Sequence, residues 1–276
     1  MNYGLYAPPQ HLRGLVRYFW NFECDRSDDL PGEHQAMADG CPEIIFAYDG
    51  GFLENKNFIS YLRAPRSESK VLTLGDRMGL FAIRLYPHAI RQLLNIPNNE
   101  LVNGSFELTH IFGNKYSYVN EKMLEASTAE QRIKVATDFL MDLSQASEKD
   151  AINECIRQVL QNEGNVNLDD LRAITGLSVK QFERRFTAVA GFPPKYYSRI
   201  TRFQGTKRKY ASGKFRTLSE LSHACDYYDQ SHFIREFKEF SGMQANHFFK
   251  IVSDGISDES RVLRNLVLAK DTPENL

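Results

Sequence analysis

Apolar residues in the first 110 or so positions fall in short branched and aromatic runs, and from about residue 115 onward they recur at helical spacing. The segments 15–22 (LVRYFWNF), 43–48 (EIIFAY) and 80–86 (LFAIRLY) read as strands. Turn residues Asp39-Gly40 and Asp49-Gly50-Gly51 bound them, which favours antiparallel pairing. A short helix is expected after Pro87, with Ile90, Leu93 and Leu94 on one face and Pro97 ending it. Further on, Ile133, Ala136, Phe139, Leu140 and Leu143 form one helical stripe, and Ile152, Ile156, Val159 and Leu160 form another that stops at Gly164. The polar stretch 144–150 between the two stripes places a domain boundary there.

The last third repeats itself at an offset of 51 residues. Phe182, Phe186 and Gly191 have the same spacing as Phe233, Phe237 and Gly242, so each copy predicts a helix with two aromatics on its buried face and a glycine at its end. Each is preceded by a shorter helix and a tight turn. Residues 168–173 lead through Thr175-Gly176 to the N-cap Ser178, and 218–224 lead through Asp226-Tyr227-Tyr228 to the N-cap Asp229. Two helix-turn-helix units result. Pro194 opens a long helix between them, with Tyr196, Ile200 and Phe203 on one face and Arg199, Arg202, Lys207 and Arg208 on the other. The expected fold class is therefore α+β: an N-terminal mixed domain of antiparallel strands plus helices (1–147), an all-α domain of two units joined by a long linking helix (148–252), and a tail (253–276). In the tail, 262–268 could form a docking helix or the whole could be disordered.

Charge sharpens this picture. The formal net charge is −1, yet residues 1–149 sum to roughly −4 and 150–252 to roughly +5, an asymmetry that points to a polyanionic partner. Between Ser178 and Arg216 stand about eleven Lys or Arg and one acid, Glu183. A merely solvated basic face would give the same count. The outward positions of the second helices decide more. Helical period turns Lys180, Gln181, Glu183, Arg184 and Arg185 outward in the first copy and Gln230, Ser231, Ile234, Arg235 and Lys238 in the second, and Arg184, Arg235 and Gln230 are expected at base edges, since arginine pairs bidentately with guanine and glutamine with adenine. Ser178, Gln181, Arg185, Lys195, Arg199, Lys207, His232 and Lys238 are expected to face phosphates. Arg184 and Arg235 are equivalent under the offset, so both copies should present a guanidinium in the same direction.

The segment 167–251 resembles the DNA-binding domain of AraC/XylS-type regulators. LDDLRAITGLSVKQFERRFTAVAGFPPKYYSRITRF is similar to that family's first unit and the start of its linking helix, and TLSELSHACDYYDQSHFIREFKEFSG to the second, with its DQSHF-x-R-x-F run. The resemblance implies sequence-specific binding to promoter or operator DNA through both second helices, with Lys180, Glu183 and Arg184 of the first and Gln230, Ser231, Ile234 and Arg235 of the second facing base edges by position. Three positions depart from the pattern: Asp226 replaces a turn glycine, Ala245 a proline, and Thr206 a small apolar residue. HLRGLVRYFW, DGCPEIIFAY and FAIRLYPHAIRQLLNIPNNEL resemble an uncharacterised domain often found ahead of this module, which implies small-molecule sensing or homodimerisation, with RNA polymerase as a further expected partner.

Other classes leave thinner traces. No run approaches the roughly 20 apolar residues of a membrane span, and MNYGLYAPPQ lacks the pattern of a signal peptide, so the expected location is the cytoplasm and no membrane partner is expected. The four cysteines, Cys24, Cys41, Cys155 and Cys225, form no CxxC pair and read as reduced thiols, so no metal or cofactor is expected. A DNA-repair methyltransferase with a metal-bound acceptor cysteine would have to use Cys41 with Cys24, His11 and His34, without the closely spaced ligand pairs such a site needs. A non-specific architectural DNA-binding protein is the other alternative. No Walker, dinucleotide or GxSxG loop is present, and the chain is not expected to be an enzyme. His223, His232 and His247 are scattered and read as structural or phosphate-facing, and Trp20 as core or the lining of an apolar pocket.

Overall fold

A computed structural model of the chain describes residues 2–25, 33–48, 59–73, 77–113, 116–143, 150–211, 215 and 217–254. The tail segment 262–268 lies outside them. The N-terminal part contains strands β1 (Asn2–Tyr6), β2 (Val16–Asp25), β3 (Glu33–Ala36), β4 (Glu43–Tyr48), β5 (Ile59–Arg63), β6 (Lys70–Thr73), β7 (Arg77–Leu85) and β8 (Ser105–Glu107), with helices α1 (Pro87–Leu94), α2 (Leu108–Phe112), α3 (Ser117–Glu125) and α4 (Ala129–Leu143). Six strands make an antiparallel sheet in the order β1-β2-β7-β4-β5-β8, and β3 pairs with β6 separately.

The sheet's central strands are apolar on both faces because side chains alternate along each strand. Phe19, Ile44, Phe46, Phe81 and Ile83 pack with Ile90, Met123, Phe139 and Leu140 of the helices. Their neighbours Tyr18, Trp20, Phe22, Ile45, Leu80 and Ala82 fill the other face. Trp20 is core, and its indole N–H donates to Glu43 Oε1 at 3.0 Å. Glu43, itself buried, also pairs with Arg63 and with Arg84 (3.1 Å), and Arg84 reaches Asp39. Burial opposes ionisation of Asp39, but the charge and hydrogen bond of Arg84 hold its carboxyl well below the usual range.

Helix α5 (Ala151–Gln161) belongs to a second core, with α6 (Leu168–Thr175), α7 (Val179–Ala190), α8 (Pro194–Ala211), α9 (Leu218–Ala224), α10 (Gln230–Ser241) and α11 (Ala245–Asp254). Aromatics dominate it. Phe182 and Phe186 line α7, Phe233, Phe237 and Phe240 line α10, and Phe203 of α8 joins the two sets, 5.3 Å from Phe237 between ring centroids. Helix α11 was not legible in the sequence; its Phe248 and Phe249 close the floor under α10, each 5.1 Å from Phe237. Met37 and Ala38 of the N-terminal part enter this second core, so the two domains share a packed boundary. Among the described residues no helix is long and apolar enough to cross a membrane.

Candidate nucleic-acid interface

Each second helix is set by its ends. Ser178 caps α7 through a capping box with Gln181, and Asp229 caps α10 by accepting from the His232 N–H at 2.7 Å. Gly191 (φ 88°) and Gly242 (φ 73°) close them in the left-handed conformation. The turn of the second unit places Asp226 at φ 56°, which asparagine and aspartate tolerate, and Asn165 Nδ2 donates to its carboxylate at 3.0 Å. Thr206, the unusual residue of the linking helix, is fully buried and returns its hydroxyl to the Arg202 carbonyl at 3.0 Å.

The caps and buried aromatics leave one face of each helix in solvent. Lys180, Glu183 and Arg184 are exposed on α7, and Gln230, Ser231 and Arg235 on α10, while Ile234 is half-buried and packs against the core. Lys195 and Lys238 are exposed as well. Ser178 and Gln181 are exposed, but their side chains are spent on each other in the cap.

The linking helix departs from expectation. Lys207 is 4% exposed, its ammonium 5.6 Å from the Phe203 ring centroid, so it does not face a phosphate. Arg199 is also corrected: its Nε donates to Glu236 at 2.7 Å and its Nη2 to Glu239 at 2.6 Å. Arg202 joins the same buried carboxylate at 3.1 Å, and Arg208 (2.8 Å) and Lys209 (3.1 Å) converge on Glu163. Arg185 pairs with Asp150 at 3.0 Å, and His232 Nε2 lies 3.7 Å from Glu236. Five of the nine described cations of the basic stretch thus neutralise acids of their own domain. Among its described cations, Lys180, Arg184 and Lys195 are exposed and carry no ion pair.

Sequence reasoning passed over Glu236, although the signal was there. Residues 233, 236, 237 and 240 share one helical face, so a glutamate at 236 had to be buried and had to find cations.

Elsewhere Cys41 is buried, its sulfur accepting from Arg17 Nη1 at 3.3 Å, and Cys155 and Cys225 are buried free thiols. Among the described residues no group of three or more His, Cys, Asp or Glu could hold a metal ion.

A family model described as a helix-turn-helix domain matches residues 171–251. Its two units, caps and linking helix are those just described. The C-terminal region is an AraC-type helix-turn-helix domain. A second model, a domain of unknown function, matches residues 5–107 and precedes the AraC-type domain. Solved structures of ToxT from Vibrio cholerae O395 are similar over much of the chain: one at 11% identity and TM-score 0.46, covering 83% of this chain and 95% of that one. Another, bound to (E)-4-(8-methylnaphthalen-1-yl)but-3-enoic acid, has 13% identity and TM-score 0.46 and covers 90% and 98%. No curated protein matches the chain.

Proposed function

We propose that this protein is a sequence-specific transcription regulator that reads operator DNA with α7 and α10 together, and that it works by binding, in the cytoplasm, without a catalytic step. The supporting observation is the pair of equivalent exposed faces on these capped helices, each carrying an arginine at the same position, Arg184 and Arg235. In this reading Lys180, Glu183, Arg184, Gln230, Ser231 and Arg235 reach base edges, and Lys195 and Lys238 meet phosphates. We divide the chain at 1–147 and 148–252, because the core changes between α4 and α5. The N-terminal domain supplies the signal, by binding a small molecule or by dimerising.

Replacing Arg184 and Arg235 together with alanine is expected to abolish site-specific retardation in a gel while weak binding to random DNA persists; unchanged specificity would contradict the base contacts. Internal pairing of the linking-helix cations also predicts a shallow salt dependence. Counting Lys180, Arg184, Lys195, Arg235 and Lys238, the exposed cations outside ion pairs on α7, α10 and the start of α8, log Kobs should fall against log salt with a slope of about −4 to −5. An architectural protein held by the whole basic stretch would show a slope near −10 and little sequence preference.

A further inference from the structure

The last carbonyls of an α-helix have no donor within the helix and take one from elsewhere. At the end of α7, the Val189 carbonyl accepts from the side-chain amide of Asn98 at 2.6 Å. At the end of α10, the Phe240 carbonyl accepts from the backbone N–H of Ala38 at 2.9 Å. Val189 and Phe240 are related by the same 51-residue offset that relates the two helices. Both donors come from the N-terminal domain.

The glycines that follow repeat the relation. A Cβ at Gly191 would lie 3.0 Å from the Val102 side chain, and one at Gly242 would collide with Ser69 and Gln35. The linking helix is gripped too. Gln204 donates to the Ala38 carbonyl, so this one residue ties α10 through its N–H and α8 through its C=O. Gly40 lies so close to Tyr197 that a Cβ there would stand 2.6 Å from the ring. Asn98 is 2% exposed, and its amide is fixed by a second bond to the Pro87 carbonyl at 2.7 Å.

We infer that the N-terminal domain sets the separation and angle of the two recognition helices by holding each at the same carbonyl, with Asn98 as the positioning residue for α7 and Ala38 for α10. The N-terminal ends of both helices, where Lys180, Gln230 and Ser231 are exposed, stay open. The inference rests on the DNA-binding reading for its consequence: a fixed angle selects one spacing between half-sites, since a turn of duplex separates adjacent major grooves. Releasing the grip relaxes the spacing and leaves the base preference of each helix in place.

Two variants of the full chain test it. Asn98→Leu keeps the branched heavy-atom shape and removes both N–H donors. Gly40→Ala pushes on Tyr197 from the other contact, and it carries the test if the first variant fails to fold. Spin labels at Ala173→Cys on α6 and His223→Cys on α9, both exposed positions, in a Cys24→Ser background, report the distance between the units by pulsed electron resonance. One narrow distance is expected in the parent and a broad distribution in the variants. On operators with one base pair inserted between half-sites, the parent should lose about tenfold in affinity and the variants less than about threefold. A narrow distribution in the folded variants, with the parental spacing profile, overturns the inference. If the parent binds all sequences alike, the DNA-binding reading fails, and the distance distributions still decide whether the grip exists.

Discussion

Residues 185 and 236 occupy the same place in the two recognition helices, yet one is arginine and the other glutamate. Both dock their helix against a neighbour. Arg185 reaches outward to Asp150 at the start of α5, with 47% of its side chain exposed. Glu236 points inward, 1% exposed, and gathers Arg199 and Arg202 from α8. The same scaffold is thus fastened by a solvated ion pair in one unit and by a buried carboxylate in the other. Their energetic weight should differ accordingly, because breaking a buried pair strands charge in a poorly solvated place while a surface pair contributes little net. Each recognition helix still keeps two exposed cations outside ion pairs, Lys180 and Arg184 on α7 and Arg235 and Lys238 on α10.

The largest effect expected from this contrast is at Glu236. Glu236→Ala should destabilise the chain by about 3 kcal/mol, the low end for a broken buried pair because Arg199 and Arg202 keep 28% and 20% of their side chains in water. Chemical denaturation measures it, and a loss below about 1 kcal/mol would erase the contrast.

A second difference concerns the first unit alone, which is buttressed by α1. His88 of that helix is buried with Nε2 2.7 Å from the Gly14 carbonyl. Burial first, and the charge of Arg157 second, push its pKa down from 6.5 to about 4, against the pull of the Gly14 bond. The folded value lies below the unfolded one, so the contribution is complete above pH 6.5 and is lost as pH falls towards 4. Between pH 6.5 and 5 this amounts to about 2 kcal/mol. Amide exchange in α7 should rise relative to α10 over that interval, and His88→Asn should flatten the trend.

The caps should show no contrast. Ser178→Ala and Asp229→Ala should each cost about 1 kcal/mol in thermal or chemical melts, and unequal costs would mean the units differ in more than their docking. Smallest of all, Arg185→Ala should change stability by less than about 1 kcal/mol and be nearly silent in high salt.

Much of this organisation was legible in the residues. Branched and aromatic runs bounded by turn residues placed β2, β4 and β7, and the repeat with its caps and glycines placed α6, α7, α9 and α10, because local propensity and core demand agree there. The outer strands β1, β5 and β8 and the pair β3–β6 were not legible: their short sequences take their conformation from neighbours. At the interface, exposure of Arg184 and Arg235 follows from helical period alone. The fate of the basic face of α8 does not, since Glu163, Glu236 and Glu239 approach it only through the tertiary fold. Nor does the role of Asn98, whose partner lies 91 residues away.

The central claim is that two recognition helices of one chain read DNA together. Hydroxyl-radical footprinting on a fragment selected from a genomic library tests it most directly. The account predicts two protected segments on one face of the duplex, about 10 base pairs apart, with protection at one segment weakening when Arg184 is replaced and at the other when Arg235 is replaced. A single protected segment, or protection that runs evenly along the fragment, would contradict it.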